Sequence, residues 1–462
     1  MAKPLVGVVL AAGQGTRMKS SLPKVLHEIC GRPMLGWILH SLAEIKPEEI
    51  VVVIGHGAGE VGAYLETLDL GVPIRSVVQA QQNGTGDAAR VALESIDPGD
   101  RDVLVLPGDS PLITPATLSH MVDVDDSEKA AATLLTVQAD DPAGYGRVVR
   151  TDDGSVSKIV EEADCSDAQR LITEVAMSMY VFDEMVLRRV LGDLRPDNAQ
   201  GELYLPDVIE RLTPDVSNVA GDADETRGIN DRAQLASVER LARARLLDDA
   251  MRAGVTVQDP TTTYVSADAD LVADVTLLAG THLEGKTRIG AGSVVGPGAQ
   301  LIDTTVGEGC TLSYCVVRDS IVGDGAEVGP YASLRAGTVM HADSKVGTFV
   351  ETKKTTIGAG SKVPHLSYVG DCTIGEAANL GANTITCNYD GVDKHETTIG
   401  DGVKTGSGTL LVAPVELGHD AYTGAGAVVT QDVPAESLAK GLPAEIDNGW
   451  TTRNRAPRAD ES

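Results

Sequence analysis

Residues 275–301 read VTLLAGTHLEGKTRIGAGSVVGPGAQL, and within this stretch an aliphatic residue returns at every sixth position. A spacing of six matches neither the period of about 3.6 residues of an α-helix nor the period of about 2 of a β-strand. A hexapeptide repeat explains it, because each aliphatic residue can point into the axis of a parallel β-helix while glycine turns let the backbone bend between faces. The stretch therefore predicts a parallel β-helix with the inward residues Leu277, Leu283, Ile289, Val295 and Leu301.

The same period continues through most of the C-terminal half, so chance alignment is an inadequate explanation. Successive coils would bury one continuous ladder of aliphatic side chains, which fits a chain with 50 glycines and only 3% aromatic residues. The further inward positions are Val265 and Leu271, then Val322, Val328, Leu334, Met340 and Val346, and finally Ile399, Thr405, Leu411, Leu417, Thr423 and Val429.

Two segments of this half do not follow the repeat. The polar insertion CNYDGVDKHET (387–397) should project from the β-helix as a loop, and inserted loops on such folds often form binding sites. The tail TTRNRAPRADES (451–462) has no apolar face, and we expect it to be disordered. The β-helix domain is accordingly predicted to span residues 255–450.

The N-terminal half, residues 1–228, alternates apolar strands with helix-like stretches. This pattern is typical of an α/β domain with a mainly parallel sheet, in which ligands bind beyond the carboxyl ends of the strands. Residues 231–253 carry helical spacing and are followed by Gly254, so we expect a linker helix within 229–254. The predicted strands are Val6–Leu10, 49–55, 102–109 and 131–138, and a helix is predicted near Lys24–Leu42.

The loop after the first strand, LAAGQGTRMKSSLPK (10–24), suggests an anion site. It lacks the lysine spacing of a P-loop and the third glycine of the dinucleotide fingerprint. A glycine-rich turn between strand and helix still offers backbone N–H groups to a phosphate, and Arg17 and Lys24 add positive charge. An ordinary tight turn with solvated basic residues explains the loop about as well, so a phosphate ligand is one of two readings.

Composition limits the classes of partner. The chain has 38 Lys and Arg against 67 Asp and Glu, a net charge of −29, which opposes binding of nucleic acid and stable association with anionic membranes. No apolar run reaches the ~18 residues of a membrane span, and the N-terminus leads directly into a strand, so we expect a cytoplasmic protein. The six cysteines form no C-x-x-C pair and support neither a zinc site nor a disulfide framework.

Together, LAAGQGTRM…LPK, VPHLSYVGD (363–371) and TCNYDG (386–391) resemble one family closely. It is the bacterial bifunctional N-acetylglucosamine-1-phosphate uridyltransferase and glucosamine-1-phosphate acetyltransferase, and the likeness extends from Leu5 to about Trp450. The resemblance implies a Rossmann-like nucleotidyltransferase domain followed by a left-handed β-helix, assembled as a homotrimer. It also implies acetyl-CoA-dependent N-acetylation of glucosamine 1-phosphate, then Mg²⁺-dependent uridylyl transfer from UTP to N-acetylglucosamine 1-phosphate with release of pyrophosphate.

The resemblance assigns roles in the first domain. Arg17 and Lys24 would neutralise the phosphates of UTP during attack at the α-phosphorus, which needs positioning and electrostatics but no base. Asp109 and Asn230 match the two Mg²⁺ ligands, and oxygen ligands suit that ion. The nucleotide and sugar positions are Leu10, Ala11, Ala12 and Gly13 for the nucleotide, Gln79, Gly84 and Thr85 for uracil, and Gly146, Glu161 and Asn230 for the sugar, with Ala176 standing where the family commonly has a sugar-contacting asparagine.

In the β-helix, the resemblance makes His365 the base that takes a proton as the amine attacks the thioester. Glu351 is a candidate to orient its imidazole. The sugar-phosphate positions are Arg335, Lys353, Tyr368 and Asn379, joined by Asn388 and Tyr389 in the insertion. The acetyl-CoA positions are Ala382, Ser407 and Ala425, and Lys440 stands in for the arginine expected to meet a CoA phosphate.

Three alternatives stay open. In the first, the β-helix is a purely structural or oligomerising domain attached to a sugar-1-phosphate nucleotidyltransferase. A second alternative is a zinc enzyme of the γ-carbonic anhydrase kind, because His341 and His365, and likewise His395 and His419, lie 24 residues apart; the third histidine of such a site is missing. The third is a non-enzymatic trimer that only binds nucleotide.

Overall fold

The computed structural model describes residues 3–441 and 444–453. The chain forms two compact units, one reaching to Arg245 and the other starting at Leu246, so the division falls inside one long helix. The domain ranges expected from the sequence stay predictions. In the part of the chain that the structure describes, no helix has the length and apolar character needed to cross a membrane.

The first unit is built on a nine-stranded, mainly parallel sheet. Its strands and those of a small hairpin are β1 Leu5–Ala11, β2 Glu28–Ile29, β3 Arg32–Pro33, β4 Glu49–Ile54, β5 Ile74–Val78, β6 Asp102–Pro107, β7 Ala132–Gln138, β8 Gly146–Arg150, β9 Val156–Val160, β10 Glu174–Asp183 and β11 Val216–Ala220. The main order is β11-β7-β10-β6-β1-β4-β5, with β8 and β9 attached to β10. Its antiparallel pairs all involve β8 or β10: β10 pairs with β6, β7 and β8, and β8 pairs with β9.

Helices cover both faces of the sheet, which is why its central strands read as continuous apolar runs. Val6 and Val8 of β1 pack into one buried cluster, and Val9 and Ala11 pack into another on the opposite face. The helices are α1 Met34–Glu44, α2 Ala58–Glu66, α3 Thr85–Glu94, α4 Pro115–Glu128, α5 Asp167–Arg170, α6 Glu184–Asp193, α7 Asp207–Leu212 and α8 Arg232–Arg252, with short 3₁₀ turns at Thr16–Met18, Lys24–Leu26 and Glu162–Asp164.

The helix predicted near Lys24–Leu42 is wrong at its start, because α1 begins only at Met34. The preceding residues form one 3₁₀ turn and the β2–β3 hairpin. Cys30 and Gly31 both have positive φ in that hairpin, and a right-handed helix cannot include such residues. Pro33 then occupies the N-cap of α1.

The second unit is a parallel β-helix, as predicted. Each short strand pairs in parallel with a strand of the next coil, for example Leu277 with Val295 and Leu283 with Leu301. One face forms a seven-stranded sheet, and the strands of the other two faces connect into a seventeen-stranded sheet that curls around the axis. The fold class predicted from the sequence, Rossmann-like α/β followed by a left-handed β-helix, is confirmed.

The strands of this unit are short and regularly spaced. They are β12 Thr256–Val257, β13 Tyr264–Val265, β14 Asp270–Leu271, β15 Thr276–Leu277, β16 His282–Glu284, β17 Arg288–Ile289, β18 Val294–Val295, β19 Gln300–Ile302, β20 Thr305–Val306, β21 Thr311–Leu312, β22 Cys315–Arg318, β23 Ser320–Val322, β24 Glu327–Val328, β25 Ala332–Leu334, β26 Thr338–Met340, β27 Lys345–Thr348, β28 Glu351–Ile357, β29 Lys362–His365, β30 Tyr368–Ile374, β31 Ile385–Cys387, β32 Thr397–Ile399, β33 Leu410–Val412, β34 Val415–Leu417, β35 Tyr422–Thr423, β36 Val428–Val429 and β37 Leu438–Ala439.

The inward ladder predicted from the period of six is present. Leu277, Val295, Leu301 and Leu334 are fully buried, and of the predicted inward positions only Leu271 is half-buried. The close stacking of coils also dictates small residues at their corners. A side chain on Gly290, for instance, would lie 2.6 Å from the backbone of Gly307 in the next coil.

The insertion does project as a loop. It leaves β31 at Cys387 and returns to β32 at Thr397, and its tip is open, with Val392 83% exposed. At the C-terminus, Trp450–Arg453 form one helical turn, α9. The rest of the segment expected to be disordered, residues 454–462, lies outside the described residues.

Candidate active sites

A cavity of about 410 Å³ lies at the carboxyl edge of the parallel sheet in the first unit. β1 and β6 are neighbours that end at Ala11 and Pro107, so the residues after them meet at this edge. Most of the nucleotide and metal positions expected from the family motif line the cavity: Leu10, Ala11, Ala12, Gly13, Lys24, Gln79, Gly84, Thr85, Asp109 and Glu161.

Three of the predicted residues converge through a single cationic group. The Lys24 ammonium lies 2.5 Å from Asp109 Oδ2 and 3.0 Å from Asn230 Oδ1. The backbone N–H of Ile229 donates to the Asp109 carbonyl, which holds the segment before α8 against the end of β6. A carboxylate and an amide oxygen already placed around one positive charge are the donor set that Mg²⁺ accepts when phosphate and water complete its shell. The residues therefore fit a magnesium ion.

The opposite wall of the cavity is formed by Gln79 and the first turn of α3. Gln79 Nε2 donates to the Gly84 carbonyl at 3.2 Å and to Asp87 Oδ2 at 2.8 Å. Gly84 has a φ of +106°, and a Cβ there would lie 2.5 Å from the Leu203 carbonyl. Thr85 Oγ1 accepts from the Leu205 N–H, so its own hydroxyl hydrogen is available to another acceptor.

A third wall carries Glu161, Ser178 and Tyr180. Burial raises the pKa of Glu161, and the nearby carboxylates of Asp207 and Asp164 raise it further. The hydroxyl of Tyr180 is buried and has no hydrogen-bond partner among the described residues. This wall thus offers one carboxyl and one uncommitted hydroxyl to a polar ligand.

Two residues assigned to the sugar lie behind this wall rather than in it. Gly146 and Ala176 face each other across the β8–β10 pair. A Cβ on Gly146 would lie 2.8 Å from Ile159 Cγ2, which is too close, and 3.4 Å from Glu161 Oε1, which is an ordinary contact distance. Ala176 is 5% exposed, and its side chain has no hydrogen-bonding atom.

Arg17 lies farther from the cavity than the family motif suggests. It lies on the exposed face of the Thr16–Met18 turn, outside the lining of the cavity. Conversely, several residues that line the cavity were not predicted from the sequence. The missed residues are Val25, Gln82, Ala88, Pro107, Gly108, Ser178, Tyr180, Glu202, Leu205 and Pro206.

In the β-helix, a basic cluster surrounds the base of the insertion. The Lys353 side chain next to Lys394 lowers the pKa of Lys394, so two ammonium groups lie side by side. Asn388 Nδ2 donates to Asp371 Oδ2 at 2.5 Å and is largely buried, whereas Tyr389 is exposed. Two adjacent ammonium groups are suited to a phosphate. Lys394 was missed from the sequence, since only its neighbours Asn388 and Tyr389 were singled out.

Arg335 lies on the same curled sheet as Lys353 and Tyr368. Its Nη1 donates to Glu351 Oε1 at 2.9 Å, and Glu351 faces Tyr368 in the register of β28 and β30. One oxygen of Glu351 is thus paired with Arg335, and its expected role in orienting the imidazole of His365 stays a prediction.

His365 ends β29 on the seven-stranded sheet, and its side chain is exposed. Its backbone carbonyl accepts from Ser367 Oγ at 2.8 Å. Asn379 follows on the next coil, where it pairs with Lys362. The predicted acetyltransferase residues therefore divide between two faces of one β-helix. Among the described residues, no group of three His, Cys, Asp or Glu side chains is placed to hold a metal ion.

The positions assigned to acetyl-CoA form a column along one corner of the β-helix. The Ala382 carbonyl accepts from the Gly408 N–H, and the Ser407 carbonyl accepts from the Gly426 N–H on the following coil. Lys440 lies one coil further on, with its Cα 3.8 Å from the position of a Cβ on Gly424. Ser407, Ala425 and Lys440 are exposed.

The chain is similar to known proteins in both of its halves. Residues 7–171 match the model of the MobA-like NTP transferase domain. The bifunctional protein GlmU of Streptomyces avermitilis is 47% identical over 461 residues, covering 98% of this chain and 95% of that protein. The bifunctional protein GlmU of Corynebacterium efficiens is 46% identical over 456 residues, covering 97% and 94%. On this similarity and on the sites described above, the chain belongs to the family of bifunctional N-acetylglucosamine-1-phosphate uridyltransferases and glucosamine-1-phosphate acetyltransferases.

Proposed function

We propose that this chain makes UDP-N-acetylglucosamine from glucosamine 1-phosphate in two steps at two sites. The β-helix transfers an acetyl group from acetyl-CoA to the sugar amine. The cavity of the first unit then joins the acetylated sugar phosphate to the uridylyl group of UTP. The observation that carries the proposal is the placement of Lys24, Asp109 and Asn230 at one end of the cavity and Gln79 at the other.

In the uridylyl step, an oxygen of the sugar phosphate attacks the α-phosphorus of UTP, the bond to the β-phosphate breaks, and pyrophosphate leaves. Lys24 neutralises phosphate charge, with Arg17 reaching in from the adjacent turn. Asp109 and Asn230 hold Mg²⁺, which supplies charge neutralisation at the phosphates. The attacking group is already an anion, so the chain needs to bind, align and exclude water rather than remove a proton.

At the other end of this cavity, Gln79, Gly84 and Thr85 bind the uracil, and Leu10–Gly13 line the nucleotide. Glu161 accepts hydrogen bonds from sugar hydroxyls, with Gly146 beside it. Ala176 cannot contribute a side-chain hydrogen bond to the sugar. The uncommitted hydroxyl of Tyr180 is the nearest replacement that the cavity wall offers.

In the acetyl step, the amine attacks the thioester carbonyl, the amine proton passes to the imidazole of His365, and CoA leaves as its thiol. Arg335, Lys353, Lys394 and Tyr368 hold the sugar phosphate, with Asn379 and Asn388. Acetyl-CoA lies along the column formed by Ala382, Ser407 and Ala425 and ends at Lys440. The division of these residues between two faces supports a homotrimer, in which neighbouring β-helices complete each site. We assign the enzyme to the cytoplasm.

The test follows free CoA release from acetyl-CoA with glucosamine 1-phosphate, using N-acetylglucosamine 1-phosphate as a blank that has no free amine. CoA release with glucosamine 1-phosphate but not with the blank supports the acetyl step. If no CoA is released by protein that still liberates pyrophosphate from UTP and N-acetylglucosamine 1-phosphate, the β-helix has a structural role only.

A further inference from the structure

Gln79 is the most completely constrained amide in the first cavity. Its side chain is 5% exposed and contributes to the cavity wall. Both hydrogens of its amide nitrogen are committed to protein acceptors, one to the Gly84 carbonyl at 3.2 Å and one to Asp87 Oδ2 at 2.8 Å. An amide carries only two N–H donors, so the carbonyl oxygen Oε1 is the hydrogen-bonding atom that remains for a ligand.

Two acceptors decide which way this amide points, the Gly84 carbonyl and the Asp87 carboxylate. Neither can donate, so Gln79 must turn its nitrogen, and not its oxygen, toward both. The contact with Asp87 is the shorter of the two, and its acceptor is charged. Asp87 is 3% exposed and lies in the first turn of α3, where a negative charge is favourable. Arg90, one turn further along, makes a short ion pair with the other oxygen, Oδ1. Asp87 therefore has one oxygen for each partner.

We propose that Asp87 is a positioning residue that locks Gln79 with its acceptor toward the ligand, so that the site selects a nucleobase with a ring N–H over one with a bare ring nitrogen. This inference rests on the proposed function, because it takes the Gln79 wall as the base end of the nucleotide site. Uracil carries a hydrogen on N3 and can donate to Gln79 Oε1. Cytosine instead has a lone pair on N3, so two hydrogen-bond acceptors, cytosine N3 and Gln79 Oε1, would face each other.

The backbone next to Gln79 completes the pattern. Gly84 and Thr85 line the cavity at the start of α3, where the first N–H groups of a helix have no intrahelical acceptor. An acceptor beside backbone donors complements the N3–H and adjoining carbonyl of uracil. It does not complement the N3 lone pair and amino group of cytosine. A site built to make a polar contact discriminates strongly against a ligand that leaves its groups unpaired.

The test compares UTP and CTP in two variants of the full-length enzyme. Asp87→Asn keeps the size of the side chain but adds a donor that can face Gln79 Oε1. The stronger of the two contacts that hold the amide is then lost, and only the Gly84 carbonyl opposes a flip that presents the amide nitrogen to cytosine. Arg90→Met is the matched control, because it removes the ion pair and leaves the acceptor-only carboxylate in place. The readout is kcat/KM for each nucleotide, measured by pyrophosphate release with saturating N-acetylglucosamine 1-phosphate and Mg²⁺.

We expect Asp87→Asn to reduce the UTP to CTP ratio of kcat/KM at least tenfold, and Arg90→Met to keep it within about twofold of the unsubstituted enzyme. An unchanged ratio in Asp87→Asn overturns the inference, and so does an equal loss of selectivity in Arg90→Met. Circular dichroism and the turnover of UTP by the same preparations report that the first unit is folded. If Asp87→Asn fails to fold, Asp87→Ser supplies the same added donor in a smaller side chain and is read by the same criteria.

The two failures are distinguishable. An unsubstituted enzyme that does not release pyrophosphate from UTP contradicts the proposed function. An enzyme that uses UTP but keeps its full preference in Asp87→Asn contradicts only the role of Asp87.

Discussion

Among single residues, Lys24 has two proposed roles that it cannot perform at the same time. Its ammonium lies between Asp109 and Asn230, the two oxygens that we assign to Mg²⁺. The lysine provides a counter-charge for the half-buried carboxylate of Asp109, which would be costly to leave without a partner. On the proposed function, Lys24 would turn from these oxygens toward the phosphates when the metal binds. One residue would then serve both the metal-free site and the substrate.

We therefore predict that Asp109→Asn raises the Mg²⁺ concentration needed for half-maximal pyrophosphate release by at least tenfold, since a neutral amide binds a divalent cation less well than a carboxylate. Acetyl transfer should be unchanged in the same preparation. The measurement is a Mg²⁺ titration of both activities. An identical Mg²⁺ requirement in variant and parent would remove Asp109 from the metal site.

His365 supports a second prediction at this scale. His365→Ala should lower the rate of acetyl transfer by about 10²–10⁴-fold, the range typical for loss of a general base. Pyrophosphate release should stay intact. His419→Ala is the control, because that histidine lies on the same β-helix and pairs with Asp401. Parallel loss of both activities in folded His365→Ala would contradict separate sites.

Several single residues could be named from the sequence because they belong to motifs that lie at strand ends, such as Asp109 after β6. Others could not. Lys394 comes next to Lys353 only because the insertion folds back on itself, with Tyr389 bridged to Lys394. Glu351 contacts Arg335 of the adjacent coil, and the spacing of the motifs did not indicate that contact. Contacts between residues distant in sequence depend on register, which motif spacing does not report.

At the scale of elements, α4 and the strands beside it carry a buried acidic pair with a consequence for stability. Burial raises the pKa of Asp125 on α4 to about 7, although the Thr133 hydroxyl donates to it at 2.7 Å. Burial likewise raises the pKa of Asp102 at the start of β6 to about 6, opposed by Lys3. Each carboxyl titrates near 3.8 when unperturbed. The folded state therefore binds more protons than the unfolded state between about pH 4 and 7.

Stability should accordingly fall as pH rises through this window, because it rises with pH only where the unfolded state binds more protons. Asp125→Asn cannot ionise, and its amide oxygen can still accept from Thr133. We predict that it raises the free energy of unfolding of the first unit by at least about 1 kcal/mol at pH 8, and that the gain shrinks toward pH 5. Denaturant unfolding at several pH values measures this. Asp123→Asn, at an exposed position of α4, is the control. A gain that is independent of pH would contradict the assignment.

Helices and strands could be predicted where one period of apolar residues dominates the sequence. β1, β4, β6 and β7 were placed within one or two residues because a doubly covered parallel sheet produces unbroken apolar runs. The segment before α1 was not, because a short hairpin with positive φ at Cys30 has no periodic signature. Its apolar residues were therefore read as the first turns of the helix.

At the scale of the whole molecule, the second unit is a stack whose stability comes from one continuous ladder. Each inward residue contacts the coil above and the coil below, so truncating one inward side chain also removes packing contacts from the residues of the neighbouring coils. Leu301→Ala should cost about 2–5 kcal/mol of unfolding free energy, as other buried leucine truncations do. Ile321→Ala, at a site 52% exposed on the same β-helix, should cost within about 0.5 kcal/mol. Calorimetric unfolding of both variants checks this, and equal costs would contradict the ladder.

We propose that one chain performs two consecutive reactions. To test this, a single preparation is incubated with glucosamine 1-phosphate, acetyl-CoA, UTP and Mg²⁺, and nucleotide sugars are identified by mass spectrometry, with acetyl-CoA omitted in a parallel sample. We expect UDP-N-acetylglucosamine to form only when acetyl-CoA is present. Two consecutive reactions in one chain would be contradicted if the complete mixture contained no UDP-N-acetylglucosamine while N-acetylglucosamine 1-phosphate, supplied directly, was converted.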